Sequence, residues 1–146
     1  MTSVTVTHRF NASVERVFDA WLNPEKVVLW GVTRARIDAR IGGRFVFETD
    51  YPDGQGGTAT AILHGKFFEI VPNRKLVMSW GDNGPDGDNS NAPMVTALFQ
   101  PEPDSGTTVT VTEENFDPAV SDADAEAAWA TVFDALDDVF TNRQDQ

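Results

Sequence analysis

The chain has 146 residues, of which 40% are hydrophobic, and it carries a formal charge of −12. This length suits one domain, residues 1–146, and the acidic balance argues against binding nucleic acid or anionic membranes, whose phosphates attract Lys and Arg. The absence of cysteine excludes disulfides and thiolate metal sites. No secretory signal and no apolar run of membrane-spanning length is visible, so we expect a cytoplasmic protein.

The first part of the chain predicts a strand, two short helices and then a hairpin. Residues 3–10 alternate between apolar and polar side chains, which is typical of a half-buried strand. Ser13 can cap a short helix, and Pro24 suits the first turn of a second one that runs to residue 30. Alternation resumes over residues 32–41, and the Gly-Gly pair at 42–43 indicates a hairpin turn into the next strand.

The second part of the chain predicts further strands and one long helix. Alternating segments lie at 58–71, 76–80, 95–99 and 108–112, and apolar residues at three-and-four spacing predict a helix over 121–140. Successive hairpins imply an antiparallel sheet with one apolar face, which the long helix must cover. The predicted fold is α+β: a seven-stranded curved antiparallel sheet wrapped around a long C-terminal helix, with two short helices between strands 1 and 2.

Large apolar side chains at the predicted junction of helix and sheet are the strongest functional feature. They could simply pack as a core, or they could wall a cavity where a straight helix cannot follow a curved sheet. The sequence leaves both interpretations open. The candidate cavity residues are Trp30, Phe45, Phe47, Phe67, Met78, Trp80, Phe99, Trp129, Phe133 and Leu136.

Two ionisable residues are candidates for a general acid or base. His8 shares a predicted strand face with apolar residues, and we expect it to be packed and hydrogen-bonded in the core rather than catalytic. Glu69 would face inward if Phe67 does. Ile70 would then face outward, so a β-bulge near Phe68 is the alternative. A buried Glu69 could act as an acid, but a bond to the backbone or to an arginine is the simpler expectation, and no catalytic residue is assigned.

Motifs for metals, phosphates and nucleotides are missing from the sequence. His8 and His64 are the only histidines, and neither has a second ligand at short spacing. The polar loop at 82–92 lacks the glycine and glutamate spacing of a calcium-binding EF-hand. Four arginines on two neighbouring strands are interpreted as outer-face charges balanced by acids rather than as an anion site. They are Arg34, Arg36, Arg40 and Arg44. We expect no metal and no cofactor.

A series of short segments carries a family resemblance through its order and spacing. The segments are Arg9-Phe10-Asn11-Ala12, Val17-Phe18-Asp19-Ala20-Trp21, Asn23-Pro24-Glu25, Leu29-Trp30-Gly31, Ile41-Gly42-Gly43-Arg44-Phe45, Gly65-Lys66-Phe67-Phe68-Glu69-Ile70, Pro72-Asn73-Arg74-Lys75-Leu76-Val77, Trp80, Ala128-Trp129 and Asp134-Ala135-Leu136. Together they resemble the activator-of-heat-shock-protein-90-ATPase homologue-like family, which belongs to the START and polyketide-cyclase-like, helix-grip superfamily. The resemblance implies a pocket between sheet and last helix, and no universal catalytic set.

The chain departs from the family pattern at its last helix. Members often carry Gly-x-x-x-Gly-Trp there, sometimes with a histidine. Here Ala125-Glu126-Ala127-Ala128-Trp129 retains only the tryptophan. Any role of that histidine is therefore not expected in this chain.

Three functions compete at this point. A module that binds an apolar small molecule, such as a lipid or a polycyclic compound, ranks first because of the aromatic set and the resemblance. The alternative is an aromatase/cyclase- or dehydratase-like enzyme, which needs Glu69 and His8 within reach of one substrate. A chaperone-activator-like or stress-response interaction protein rests on the family name alone. The sequence favours a binding protein over an enzyme and leaves a homodimer open.

Overall fold

The computed structural model describes residues 2–30, 32–80, 93–115 and 119–141, with only the backbone at Trp30 and Thr141. Within these residues, seven strands form one antiparallel sheet in the order β1-β7-β6-β5-β4-β3-β2. The strands are β1 (Ser3–Phe10), β2 (Arg34–Ile37), β3 (Arg44–Pro52), β4 (Thr58–Val71), β5 (Lys75–Ser79), β6 (Met94–Pro101) and β7 (Thr107–Glu114). The sheet is curved, and the predicted helix-grip fold is confirmed.

Three helices complete the described part of the chain. They are α1 (Val14–Leu22), α2 (Pro24–Val27), which continues as one 3₁₀ turn (Val28–Trp30), and α3 (Asp122–Thr141). The predicted Ser13 cap is present, and Ser121 caps α3 in the same way: each hydroxyl accepts a hydrogen bond from the backbone N–H three residues later. Within the described residues, no helix is both long enough and apolar enough to cross a membrane.

The core lies between α3 and the inner face of the sheet. Trp129, Phe133, Leu136 and Phe140 of α3 are buried there, and the Phe133 ring meets the Phe10 ring of β1 at 5.6 Å. Each such side chain contributes on the order of 1.5–3 kcal/mol when fully buried. The apolar stripe predicted for the long helix is thus the surface that holds it to the sheet.

Some element boundaries differ from the predicted ones. Strand 2 was predicted over 32–41 but is paired only from Arg34 to Ile37, because the chain then turns: Arg40 N–H donates to the Asp38 carbonyl at 2.8 Å. Ile41 is consequently 63% exposed rather than inward-facing. The second short helix, predicted to run to residue 30, is also split into α2 and the 3₁₀ turn, and Gly31 after it lies outside the described residues.

Gly65 allows an aromatic ring to pack directly on the sheet backbone. It lies opposite Phe45 in the β3–β4 register. A Cβ added at Gly65 would lie 2.0 Å from Cζ of Phe45 and 2.4 Å from the Ser79 carbonyl oxygen. Only glycine therefore leaves room for the buried Phe45 ring at this position.

Two of the four clustered arginines, Arg34 and Arg40, pair with neighbouring acids, as the sequence indicated. Arg34 donates to the Glu48 carboxylate at 2.6 Å and to both Asp50 oxygens at 2.8 and 3.0 Å. Arg40 pairs with Asp38 at 2.8 Å. Hydrogen bonds from Arg34, and then from Thr60, hold the pKa of Asp50 below its ordinary value.

Gly65→Ala should destabilise the protein by about 1–3 kcal/mol, because the new methyl group displaces the Phe45 ring or shifts a strand. Urea denaturation at pH 7 measures this as a lower midpoint at unchanged slope. Gly57→Ala is the matched control, since its Cβ would meet only the rotatable Asp53 carboxylate. Equal midpoints for the two variants would contradict the packing described for Gly65.

Arg34→Gln should lower stability at pH 7, and the difference from wild type should shrink in acid. The folded-state pKa of Asp50 is depressed, so its contribution is present above its unfolded pKa of about 3.9 and is lost as the pH falls through the folded value. Urea titrations at pH 7 and near pH 2 test this.

Arg36→Gln is the control for that experiment, because Arg36 lies on the same strand and forms no ion pair among the described residues. A difference between wild type and Arg34→Gln that stays constant down to pH 2 would refute the assignment.

Candidate functional site

A cavity of ≈ 240 Å³ lies against the N-terminal half of α3. Its walls come from three elements: α3 with the residues before it, the end of β7, and the residue that follows β5. The lining residues are Trp80, Glu113, Val120, Asp124, Ala125, Ala128, Trp129 and Val132. Most of this lining is apolar, with two carboxylates. We call it the α3 cavity.

Trp129 connects this cavity to the rest of the fold. Its ring lies 5.2 Å from the Trp80 ring and is stacked at 6.1 Å on the Trp21 ring of α1. Its indole Nε1–H donates to Oε1 of Glu113 at 2.9 Å. A buried indole needs such an acceptor, so one hydrogen bond fixes both the ring and the carboxylate beside the cavity.

Of the residues predicted to wall a ligand cavity, Trp80 and Trp129 border the α3 cavity. Their contact with a ligand stays a prediction. Seven others are no more than 6% exposed and pack within the core: Phe45, Phe47, Phe67, Met78, Phe99, Phe133 and Leu136. Their rings contact one another closely; Phe45, for example, meets Phe47 at 4.7 Å. None of the seven lines the α3 cavity, and their role as a ligand wall stays a prediction. The side chain of Trp30 lies outside the described residues.

The sequence did not single out six of the cavity residues. They are Glu113, Val120, Asp124, Ala125, Ala128 and Val132. A signal existed for Ala125, Ala128 and Val132, whose spacing of three and four places them beside Trp129 on one helix face. No comparable signal existed for Glu113, because its place beside the cavity depends on how α3 packs against β7.

His8 joins β1 to α3. Its Nε2 lies 2.7 Å from Oδ2 of Asp137, and its ring meets the Phe10 and Phe133 rings at 4.7 and 5.5 Å. The prediction of a packed, hydrogen-bonded histidine agrees with these contacts. The location differs, however, since 33% of the side chain is exposed and His8 lies at the rim of the core rather than inside it.

Glu69 lies on the outer face of the sheet. A β-bulge separates Phe67, which pairs with Met78, from Glu69, which pairs with Val77. The extra residue reverses the alternation, so Ile70 packs against the core and the Glu69 carboxylate lies 3.2 Å from Lys75 Nζ. The bulge alternative is confirmed and an inward Glu69 is wrong; its partner is a lysine rather than an arginine.

The enzyme alternative loses its acid–base pair through this geometry. His8 points to the inner face of the sheet, toward α3, whereas Glu69 points to the outer face, where 44% of its side chain is exposed. Two groups on opposite faces of one sheet cannot reach the same substrate atom. Glu69 and His8 are therefore no catalytic pair.

The described residues offer no group of three His, Asp or Glu side chains close enough to hold a metal ion. His64 lies on β4 opposite Val46, on the outer face of the sheet. The polar loop at 82–92, and the question of whether it gates the cavity, lie outside the described residues.

Comparison with known proteins places the fold in a family. The model of the family described as "Activator of Hsp90 ATPase homolog 1-like protein" matches residues 11–141. A comparison with curated proteins gave no match.

Several solved structures share the whole architecture at low sequence identity. The AHSA1-like protein from Aeromonas hydrophila is 20% identical, with 99% of this chain and 96% of that chain covered and a TM-score of 0.81. The Aha1 dimer from Colwellia psychrerythraea is 17% identical, with 96% of each chain covered and a TM-score of 0.70. CalU16 from Micromonospora echinospora is 21% identical, with 97% and 77% covered and a TM-score of 0.68.

Likeness at this level of identity shows the fold alone, whereas the family match spans β2 to β7 and all of α3. Both agree with the order of strands and the covering helix described above. The chain belongs to the Activator of Hsp90 ATPase homolog 1-like family, within the START and polyketide-cyclase-like, helix-grip superfamily.

Proposed function

We propose that this protein binds an apolar small molecule in the α3 cavity. The observation that carries the proposal is the cavity itself, a recess beside the last helix whose wall includes two tryptophan rings and Val132. Aromatic and aliphatic walls with a few polar groups are typical of small-molecule sites. The helix-grip architecture supports the same location, since its family is expected to hold a pocket between sheet and last helix.

The volume of the cavity limits the size of the ligand. At ≈ 240 Å³ it lies just below the range of roughly 300–1,000 Å³ that is common for drug-sized ligands. A compound of one or two rings fits this volume better than a whole lipid. The close packing of the core supports the same size limit. Phe45, Phe67 and Phe133 are each no more than 2% exposed, so the cavity does not extend past these side chains.

Protein partners form a second, separate proposal. The Colwellia relative is described as a dimer, which favours a homodimer here as well. A chaperone partner is supported only by the description of the family. A cytoplasmic location remains an expectation from the sequence.

Ala128→Phe should abolish ligand binding, because Ala128 lines the cavity and a phenyl ring in its place would fill the space. The probe is 2-naphthol, a neutral two-ring compound, titrated into the protein by isothermal calorimetry. Ala130→Phe is the matched control, since Ala130 is exposed on the same helix and does not line the cavity. Its affinity should equal that of wild type.

Two outcomes of this titration would overturn the binding proposal: wild-type protein that releases no heat of binding with 2-naphthol, or Ala128→Phe that binds it as well as Ala130→Phe does. Thermal unfolding of both variants shows whether the helix still forms.

The homodimer proposal predicts the mass of two chains in sedimentation equilibrium at micromolar concentration. A single-chain mass at all concentrations up to 100 µM would refute it.

A further inference from the structure

Among the described residues that line it, the α3 cavity is apolar except for two carboxylates, which belong to Glu113 and Asp124. None of these described lining residues is a Lys, Arg or His. Among the described ion pairs, neither carboxylate has a cationic partner. The negative charge at this site is thus left without a counter-charge from the cavity wall.

Glu113 is held in a fixed position toward the cavity. One of its oxygens, Oε1, accepts the hydrogen bond from the Trp129 indole at 2.9 Å. An ionised carboxylate accepts about four hydrogen bonds, so Oε2 still has acceptor capacity for a ligand. Asp124 is placed by the capped first turn of α3, where its backbone N–H donates to the Ser121 hydroxyl at 3.0 Å.

The aromatic walls favour the same kind of ligand charge. The Trp80 and Trp129 rings both line the cavity, and their centroids lie 5.2 Å apart at an angle of 39°. The face of an indole ring attracts a cation through its quadrupole, and tryptophan does so more strongly than other aromatic residues. The tryptophan rings and the two carboxylates therefore both favour a positively charged ligand.

The surrounding charge adds to this preference. Helix α3 carries six acidic residues and no lysine or arginine. They are Asp122, Asp124, Glu126, Asp134, Asp137 and Asp138. A negative surface of this kind raises the local concentration of cations and lowers that of anions. A ligand with a carboxylate or phosphate would be repelled and would meet no positive side chain among the described lining residues.

We propose that the ligand of the α3 cavity is an amine, with a small ring system against the Trp80 and Trp129 rings and a positively charged nitrogen beside Glu113 and Asp124. This inference rests on the proposed function and specifies its ligand class. It separates aromatic amines from the fatty acids and neutral polycycles that an apolar cavity alone would admit.

The test compares three ligands that share an indole ring and differ in charge: tryptamine, tryptophol and indole-3-acetate. Isothermal calorimetry at pH 7 and low salt should give tryptamine an affinity roughly fivefold or more above that of the neutral tryptophol. Indole-3-acetate should bind more weakly than either. Raising the salt concentration should reduce the preference for tryptamine and leave tryptophol unchanged.

Three variants show which residues cause the preference for tryptamine over tryptophol. Glu113→Gln keeps an acceptor oxygen for the Trp129 indole, and Asp124→Asn keeps the shape of the residue; each should lower the ratio of tryptamine to tryptophol affinity. Asp134→Asn is the matched control, since it removes one charge from an exposed position of the same helix outside the cavity lining. Its ratio should match that of wild type.

The outcomes separate this inference from the function on which it rests. Equal affinities for tryptamine and tryptophol would overturn the amine proposal and leave apolar binding standing. Failure of all three compounds to bind, together with failure of 2-naphthol, would overturn both. A ratio that falls as much in Asp134→Asn as in Asp124→Asn would also overturn it, because the preference would then reflect net charge rather than the site.

Discussion

The packing of one indole ring organises this molecule. Trp129 of α3 is stacked on Trp21 from α1 and meets Trp80 at the end of β5, so a single side chain joins two helices and the sheet. Burying an indole costs free energy unless its N–H finds an acceptor, and the Glu113 carboxylate of β7 supplies one. The acceptor that permits this burial is also the charge that gives the neighbouring cavity its chemical character.

Most of the fold follows from local periodicity. Alternation in β1, β3 and β4 and the three-and-four spacing of α3 each depend only on residues that are near in sequence, and the structure agrees with them. Glu69 shows the limit of such reasoning. One extra residue at Phe68 moves Glu69 to the opposite face, and the alternation before the bulge gives no information about the alternation after it.

The candidate site could be predicted only in part. Trp80 and Trp129 could be predicted because large aromatic side chains on an apolar face are expected to pack against another element of the fold. The polar group that contacts them could not be predicted, because it depends on how α3 is rotated relative to β7. The residue spacing within either element carries no information about that rotation. The same packing explains why the space lies near one end of α3: farther along, the rings of Phe133, Phe10 and Phe140 fill the junction at separations of 5.5–5.6 Å.

The position of β1 has a consequence for how the chain reaches this structure during synthesis. Strand β1 is synthesised before the other six strands, yet it pairs with β7, with Ser3 opposite Glu114. The partner of His8, Asp137, lies still later in the chain, on α3. The hairpins from β2 to β5 involve near neighbours and can assemble while the ribosome is still at work. Strand β1 must instead remain unpaired, with its apolar face exposed, until β7 has been synthesised. Delayed pairing of this kind leaves the apolar face of β1 in contact with water for longer than that of any hairpin strand.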